Sequence, residues 1–178
     1  MARIRIGGGE WRSRLIKVAD RVEGLRPTPD RVRITLFNWL GQDLTGLSCL
    51  DLFAGSGVLG FEAASRGAAQ VTFVEQNPAA FAALQENACA LGMDRLELLR
   101  TDALKFAARG TRQYDLIFLD PPYHQGWIER IEPLLAQLTH SGTRLYIEAE
   151  HPVATLGRWQ SVKSGQAGQV FYQLLEQA

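Results

Sequence analysis

Leu50-Asp51-Leu52-Phe53-Ala54-Gly55-Ser56-Gly57 decides how the rest of the chain is read. A short apolar strand runs into a glycine-rich bend, and Val58-Leu59-Gly60-Phe61-Glu62-Ala63-Ala64 continues as a helix. Glycines at 55 and 57 permit positive φ and let a ligand lie against bare backbone. The N–H groups of the helix's first turn then face whatever sits there. Asp51, just inside the strand end, offers a carboxylate to a cationic ligand group. Gly55 to Gly60 also fits G-x-G-x-x-G, a match that is weak by itself. The stretch predicts a nucleotide-type cofactor pocket, with a plain strand-to-helix turn as the alternative. The identity of the cofactor has to come from elsewhere in the chain.

Working outward, strands and helices alternate with short connections from Ser48, which predicts a parallel sheet covered on both faces. The first strand spans about 48–53, and its helix ends near Arg66-Gly67. Gln70 to Val74 is the second strand, ending in Glu75. Asn77 as cap and Pro78 in the first turn open a helix to Leu91, closed by Gly92. Leu96 to Leu99 is the third strand, followed by Asp102 and a short helix. Tyr114 to Leu119 is the fourth, ending in Asp120-Pro121-Pro122-Tyr123. Trp127 to Leu138 reads as helix, Leu145 to Ile147 as the fifth strand, and 159–162 with 169–175 as a closing antiparallel hairpin.

Ligands of open parallel sheets bind outside the carboxyl ends of the strands. Asp51, Glu75, Asp102 and Asp120 fall at four such ends. Glu75 lies 24 residues past Asp51, close to the distance at which an acid reaches a ribose diol. Asp102 is placed to accept from an exocyclic amine such as that of adenine. In Asp120-Pro121-Pro122-Tyr123 two prolines remove two N–H donors, which leaves carbonyls and a carboxyl as an acceptor-only cluster. With the Tyr123 ring beside it, that cluster suits a planar heterocycle presenting an NH2 group. A proline-stiffened turn with a core tyrosine is the bland alternative.

N-terminal to the sheet, the charge is lopsided. Residues 1–33 hold nine Arg/Lys against four acids, while the other 145 residues hold ten bases and fifteen acids, so the net charge is zero overall. Such asymmetry predicts a polyanionic partner at the basic end. Arg3 to Ile6 and Trp11 to Val18 alternate around Gly7-Gly8-Gly9 as a small hairpin whose arginines share an exposed face. Arg26-Pro27-Thr28-Pro29 marks the boundary of this 1–26 extension from the domain at 27–178. Thr28 is the expected cap, with Pro29 in the first turn, of a helix from Asp30 to Leu40.

Composition sets the outer limits. With 46% hydrophobic and 21% charged residues, 178 residues suit one soluble domain, with no run near the ~20 apolar residues of a membrane span. The N-terminus lacks a signal-peptide core, so a cytoplasmic location is expected. Cys49 and Cys89 lie in apolar segments and read as reduced core residues. His124, His140 and His151 have no ligand spacing, so no metal is expected. No feature demands more than a monomer.

Asp51 to Gly57, Glu75, Asp102 and Asp120 to Tyr123 resemble the motif series of S-adenosylmethionine-dependent amino-methyltransferases. Gly8 to Arg12, Arg14, Leu25 to Thr28, Leu36 to Asn38 and Glu62 to Ala68 narrow the resemblance to the RsmD family over nearly the whole chain. Ser13 departs from that family's usual glycine, and Ile34 from its usual acid. The resemblance implies a Rossmann-like class I methyltransferase sheet that methylates N2 of a guanine in 16S ribosomal RNA, either naked or within a partly assembled 30S subunit. It implies S-adenosylmethionine bound by Asp51, Phe53, Ala54, Gly55, Ser56, Gly57, Glu75, Gln76, Asp102 and Ala103. Asp120, Pro121, Pro122 and Tyr123 are the implied catalytic residues. Arg5, Arg12, Arg14, Lys17, Arg26 and Arg33 are the candidate RNA contacts. An adenine-N6 enzyme shares the proline motif. An NAD-dependent oxidoreductase and a non-catalytic RNA-binding module remain as rivals from other classes.

Overall fold

The computed structural model describes residues 2–178. In chain order it forms β1 (Arg3–Arg5), β2 (Leu15–Lys17), α1 (Asp30–Leu40), β3 (Ser48–Asp51), α2 (Val58–Ser65), β4 (Gln70–Val74), α3 (Pro78–Leu91), β5 (Leu96–Leu99), α4 (Ala103–Arg109) and β6 (Tyr114–Leu119). Then follow α5 (Trp127–Ile131), a 3-10 turn (Glu132–Gln137), β7 (Thr139–Ala149), β8 (Thr155–Leu156), β9 (Trp159–Ala167) and β10 (Val170–Gln177).

Eight strands make one sheet in the order β5-β4-β3-β6-β7-β10-β9-β8. The first five run parallel, and β10 joins β7 antiparallel. The chain therefore steps outward from β3 through β4 to β5, then returns to β3's other side as β6. That reversal opens a crevice above the carboxyl ends of β3 and β6.

Period-two alternation distributes the core. Phe73, Phe118 and Tyr146 face one layer with Leu36, Phe37 and Phe61. Leu50, Ile117, Leu119, Leu145 and Ile147 face the other with Ile131 and Leu135. A buried side chain of this size contributes about 1.5–3 kcal/mol, so both faces are strongly specified. No helix among the described residues is long and apolar enough to cross a membrane.

Several elements depart from the sequence expectations. Helix α1 begins at Asp30 with Pro29 as its cap residue, and no side chain caps it. Thr28 instead turns its hydroxyl inward to Glu148. The helix expected over 127–138 breaks after Ile131 into 3-10 geometry, because Pro133 has no N–H to give and its ring crowds the preceding turn. Strand β7 runs from Thr139, well before Leu145, and β9 and β10 extend further than expected. Cys49 is buried, but Cys89 lies exposed on α3.

β1 and β2 form the antiparallel hairpin, with Ile4 opposite Ile16. It lies against α2 and α3. Trp11 Nε1 donates to the Leu91 carbonyl at 2.8 Å, and Asn87 exchanges two hydrogen bonds with the Lys17 backbone. Trp11 is thus a packing anchor. Ser13 sits at φ 71°, the left-handed conformation that favours glycine, while its N–H still closes the turn onto the Ile6 carbonyl at 2.8 Å. Nothing in the structure explains Ile34, which is exposed on α1.

Candidate active site

The glycine bend holds its shape through short-range geometry. Gly57 caps α2 at φ 80°, and a Cβ there would lie 2.4 Å from Leu84 and 2.7 Å from the Phe61 ring. Conformation and space both require glycine. Gly60 lets α2 press onto β4, since a Cβ would meet the Phe73 ring at 2.3 Å. Leu25, from the segment before α1, lies directly over Gly55.

Above the crevice is a cavity of about 750 Å³. Its lining includes Asp51, Phe53, Ala54, Gly55, Ser56, Glu75, Gln76, Ala103, Asp120, Pro121, Pro122 and Tyr123. Residues from four strand ends, widely separated in sequence, therefore share one space. Arg26 lines the same cavity and is exposed.

The acids at the strand ends play different local parts. Glu75 is held rigidly, its Oε1 accepting from Gly55 N–H and its Oε2 from Asn77 N–H, both at 2.8 Å. Each oxygen keeps lone-pair capacity for a ligand hydroxyl. Asp51 is buried, and its Oδ2 accepts from Gly60 N–H at 3.1 Å. Burial, opposed by that hydrogen bond, pushes its carboxyl up to about 8. Asp102 caps α4, with Oδ1 accepting from the Leu104 and Lys105 N–H groups, and does not line the cavity. Gly57 likewise supports the bend from beneath, outside the lining.

Asp120 follows the last paired residue of β6 and meets the cavity together with the two prolines and Tyr123. Burial, and then the charge of neighbouring Glu148, hold its carboxyl well above the usual carboxylate range. Burial also raises the Tyr123 phenol, so the ring presents a neutral face and hydroxyl. Trp127 packs edge-on against Phe53 at 5.4 Å and contributes another wall.

The predicted RNA contacts divide. Arg5, Arg12, Arg14 and Lys17 are exposed on the hairpin, outside the cavity. Arg5 and Arg14 also donate to the Ser13 and Ala90 carbonyls at 2.9 and 3.1 Å. Arg33 is a correction. It is 4% exposed, with Nη1 donating to Glu62 Oε1 at 3.0 Å and Nη2 paired with Asp30. A buried guanidinium spent on Glu62 and Asp30 has no fork left for phosphate.

Thr28, Glu148 and Leu25 were missed as site residues. A lone hydroxyl between two prolines, and a lone acid inside Leu145-Tyr146-Ile147-Glu148-Ala149, were the available signals. A charge within an apolar strand implies a partner or a function.

A family model described as conserved hypothetical protein 95 matches residues 4–176. The ribosomal RNA small subunit methyltransferase D of Escherichia coli strain K12 is 39% identical, covering 97% of this chain and 89% of its own. The protein of the same name from Haemophilus influenzae is also 39% identical, covering 97% and 93%. A solved structure described as putative methyltransferase yhhF from Escherichia coli superposes with a TM-score of 0.89 at 38% identity, over 99% of this chain and 98% of that one. With the match spanning both the hairpin and the sheet, the chain belongs to the conserved hypothetical protein 95 family, the RsmD family of methyltransferases.

Proposed function

We propose that this methyltransferase moves a methyl group from S-adenosylmethionine to the exocyclic N2 of a guanine in 16S ribosomal RNA. The observation that carries this reading is the acceptor cluster of Asp120 and the Pro121 carbonyl beside Tyr123, opening onto the same cavity as Glu75. The donor set fits the cofactor. Glu75 has fixed oxygens for a ribose diol, Asp51 a carboxyl for an ammonium group, and the bend with Phe53 and Ala103 a lining for the remainder. A cavity of about 750 Å³ is within the usual range for such ligands.

When bound, the cofactor supplies an electrophilic methyl group on a sulfonium. Asp120 and the Pro121 carbonyl accept the two amino hydrogens, drawing the nitrogen lone pair out of conjugation and aiming it at that methyl. Tyr123 stacks on the base, which leaves its neighbours at a cost of a few kcal/mol. Positioning accounts for most of the rate, since the partners need only be oriented and shielded from water. Guanine suits an acceptor-only cluster better than adenine does, because its edge presents N1–H beside the amine where adenine presents an acceptor. Arg5, Arg12, Arg14 and Lys17 on the hairpin, with Arg26 at the cavity, are the proposed phosphate contacts.

The test is to map methylated guanines in 16S ribosomal RNA from cells lacking the protein, then restore either the wild type or Asp120→Ala. The N2-methylguanine should vanish and return with wild type only. In vitro, Asp120→Ala should slow single-turnover transfer by about 10²-fold or more while cofactor affinity stays within a few-fold, as expected for a contact that matters most in the transition state. An unchanged modification map would remove the proposed substrate.

A further inference from the structure

We infer that Glu148 is a positioning residue for Asp120, holding one oxygen of its carboxyl through a shared proton so that the other faces the target amine. This rests on the methyltransferase reading above.

The sheet itself places the two acids together. Leu119 of β6 pairs with Ile147 of β7, so the next rung sets Asp120 beside Glu148. One hydroxyl touches both: Thr28 Oγ1 lies 2.8 Å from Glu148 Oε1 and 3.4 Å from Asp120 Oδ2. Tyr146, two residues back on the same face of β7, donates to that same Oε1 at 2.6 Å. Glu148 is 4% exposed, and no ion pair to it is found among the described residues.

Two adjacent carboxyls without a cation do not both ionise in a water-poor site. The pair therefore carries one proton. Two hydroxyls donate to Glu148 and stabilise its charge, which leaves the proton on Asp120. The direction of the Asp120 shift agrees, with burial first and the Glu148 charge second, and Asp51 on β3 adds to it. The other titratable or charged groups around the pair are Tyr123, Tyr146, Glu150 and Arg26.

The pair has a use in the reaction. As the N–CH3 bond forms, the S–CH3 bond breaks and its electron pair goes to sulfur, leaving a surplus proton on the methylated nitrogen. That proton passes to the cavity-facing oxygen of Asp120, while the shared proton moves across to Glu148. The products are a neutral methylated amine, a thioether and a doubly protonated carboxyl pair, which later gives one proton to water. No strong base is needed before the attack.

The experiment is a double-mutant cycle on single-turnover transfer from S-adenosylmethionine to 16S ribosomal RNA, using Glu148→Gln, Asp120→Asn and both together. Glu148→Gln alone should slow transfer about tenfold or more, within the range of positioned proton transfer, with cofactor and RNA affinities unchanged within twofold. In the Asp120→Asn background, where no proton is shared, the same change should alter the rate less than twofold. The ionisation of Asp120, read from the pH–rate profile, should move to lower pH in Glu148→Gln, because the neighbouring charge that raises it is then gone. A rate within twofold of wild type, or an equal loss in both backgrounds, overturns the inference. Should Glu148→Gln fold poorly, Thr28→Val removes only the common hydroxyl. It should slow transfer about threefold with Asp120 intact and have no effect with Asp120→Asn; equal losses overturn the inference here too. Wild-type protein that transfers no methyl to the RNA would overturn the functional reading as well, whereas active wild type without coupling sinks this inference alone.

Discussion

The mouth of the sheet and the N-terminal hairpin are both rich in charge, but they use it in opposite ways. At the mouth, acids are gathered where strands end, and each is fixed by backbone N–H groups or hydroxyls before any ligand arrives. On the hairpin, the side chains of Arg12 and Lys17 stand in solvent, while beneath it Arg33 of α1 and Arg66 at the end of α2 are drawn inward onto Glu62. Glu62 is 1% exposed and also accepts from Gly7 N–H at 2.5 Å and Gly8 N–H at 3.3 Å. One carboxylate thus ties the hairpin to the helix that carries the glycine bend. Residue type alone does not separate a cation that meets solvent from one that holds the fold; the burial of its partner does.

Breaking that tie gives the largest expected effect. Glu62→Ala leaves the Arg33 guanidinium buried without its main acid, and loss of one partner of a buried pair costs about 3–5 kcal/mol. The urea midpoint should fall accordingly, with the hairpin amides losing exchange protection first. A drop under ~1 kcal/mol would mean the hairpin is held by Trp11 and Asn87 instead.

At the mouth, the contrast sharpens with pH. Pairing with the cofactor's ammonium requires ionised Asp51, whose carboxyl burial has pushed up to about 8. Binding must therefore expel a proton below that pH. Affinity should rise toward about tenfold per unit as pH climbs from about 6 toward 8, about 1.4 kcal/mol per unit, and fall again above, where the ammonium itself loses its proton. Calorimetry in buffers of different ionisation enthalpy reads this proton directly. Asp51→Asn should abolish the slope, and a slope equal to wild type would take Asp51 out of the ammonium site.

The exposed cations predict a gentler, salt-dependent change. Replacing Arg12, Arg14 and Lys17 together should weaken RNA binding and flatten the log–log salt dependence by roughly two, at ~0.7 per phosphate of single strand. Cofactor affinity should not move. An unchanged slope would leave the hairpin a purely structural appendage and shift RNA selection to Arg26 and the loops near Tyr123.

Smallest is the turn. Ser13 adopts a glycine conformation at φ 71°, so Ser13→Gly should relieve left-handed strain and stabilise by about 0.5–1 kcal/mol, less whatever the freer unfolded chain takes back. Thermal unfolding checks the sign. A destabilised variant would show that the side chain, and not the backbone, sets the turn.

Much of this was legible in the chain because the signals are local. Asn77 caps α3 with both expected N–H bonds, Gly92 closes it, and β4, β5 and β6 begin and end where the apolar runs do. The glycine bend and Asp120-Pro121-Pro122-Tyr123 declare themselves through backbone restrictions that travel with the residues. Alternating strands and helices then dictate a parallel sheet with its ligand end at the strand termini, and that places four acids near one another. The sequence alone thus determined most of the elements, the end of the sheet where the cavity opens, and the proline motif that lines it.

What only the tertiary structure decided is which charged and polar groups meet. Thr28 reaches Glu148 across 120 residues, and Arg33 reaches Glu62 across 29. Asp102 uses its Oδ1 to cap α4, and Thr28 gave up a cap to join a buried acid. Such choices are settled by desolvation. A charge or hydroxyl removed from water must find its partner among the groups that the sheet order brings close, and sheet order, with β6 returning beside β3, is not written in any local window.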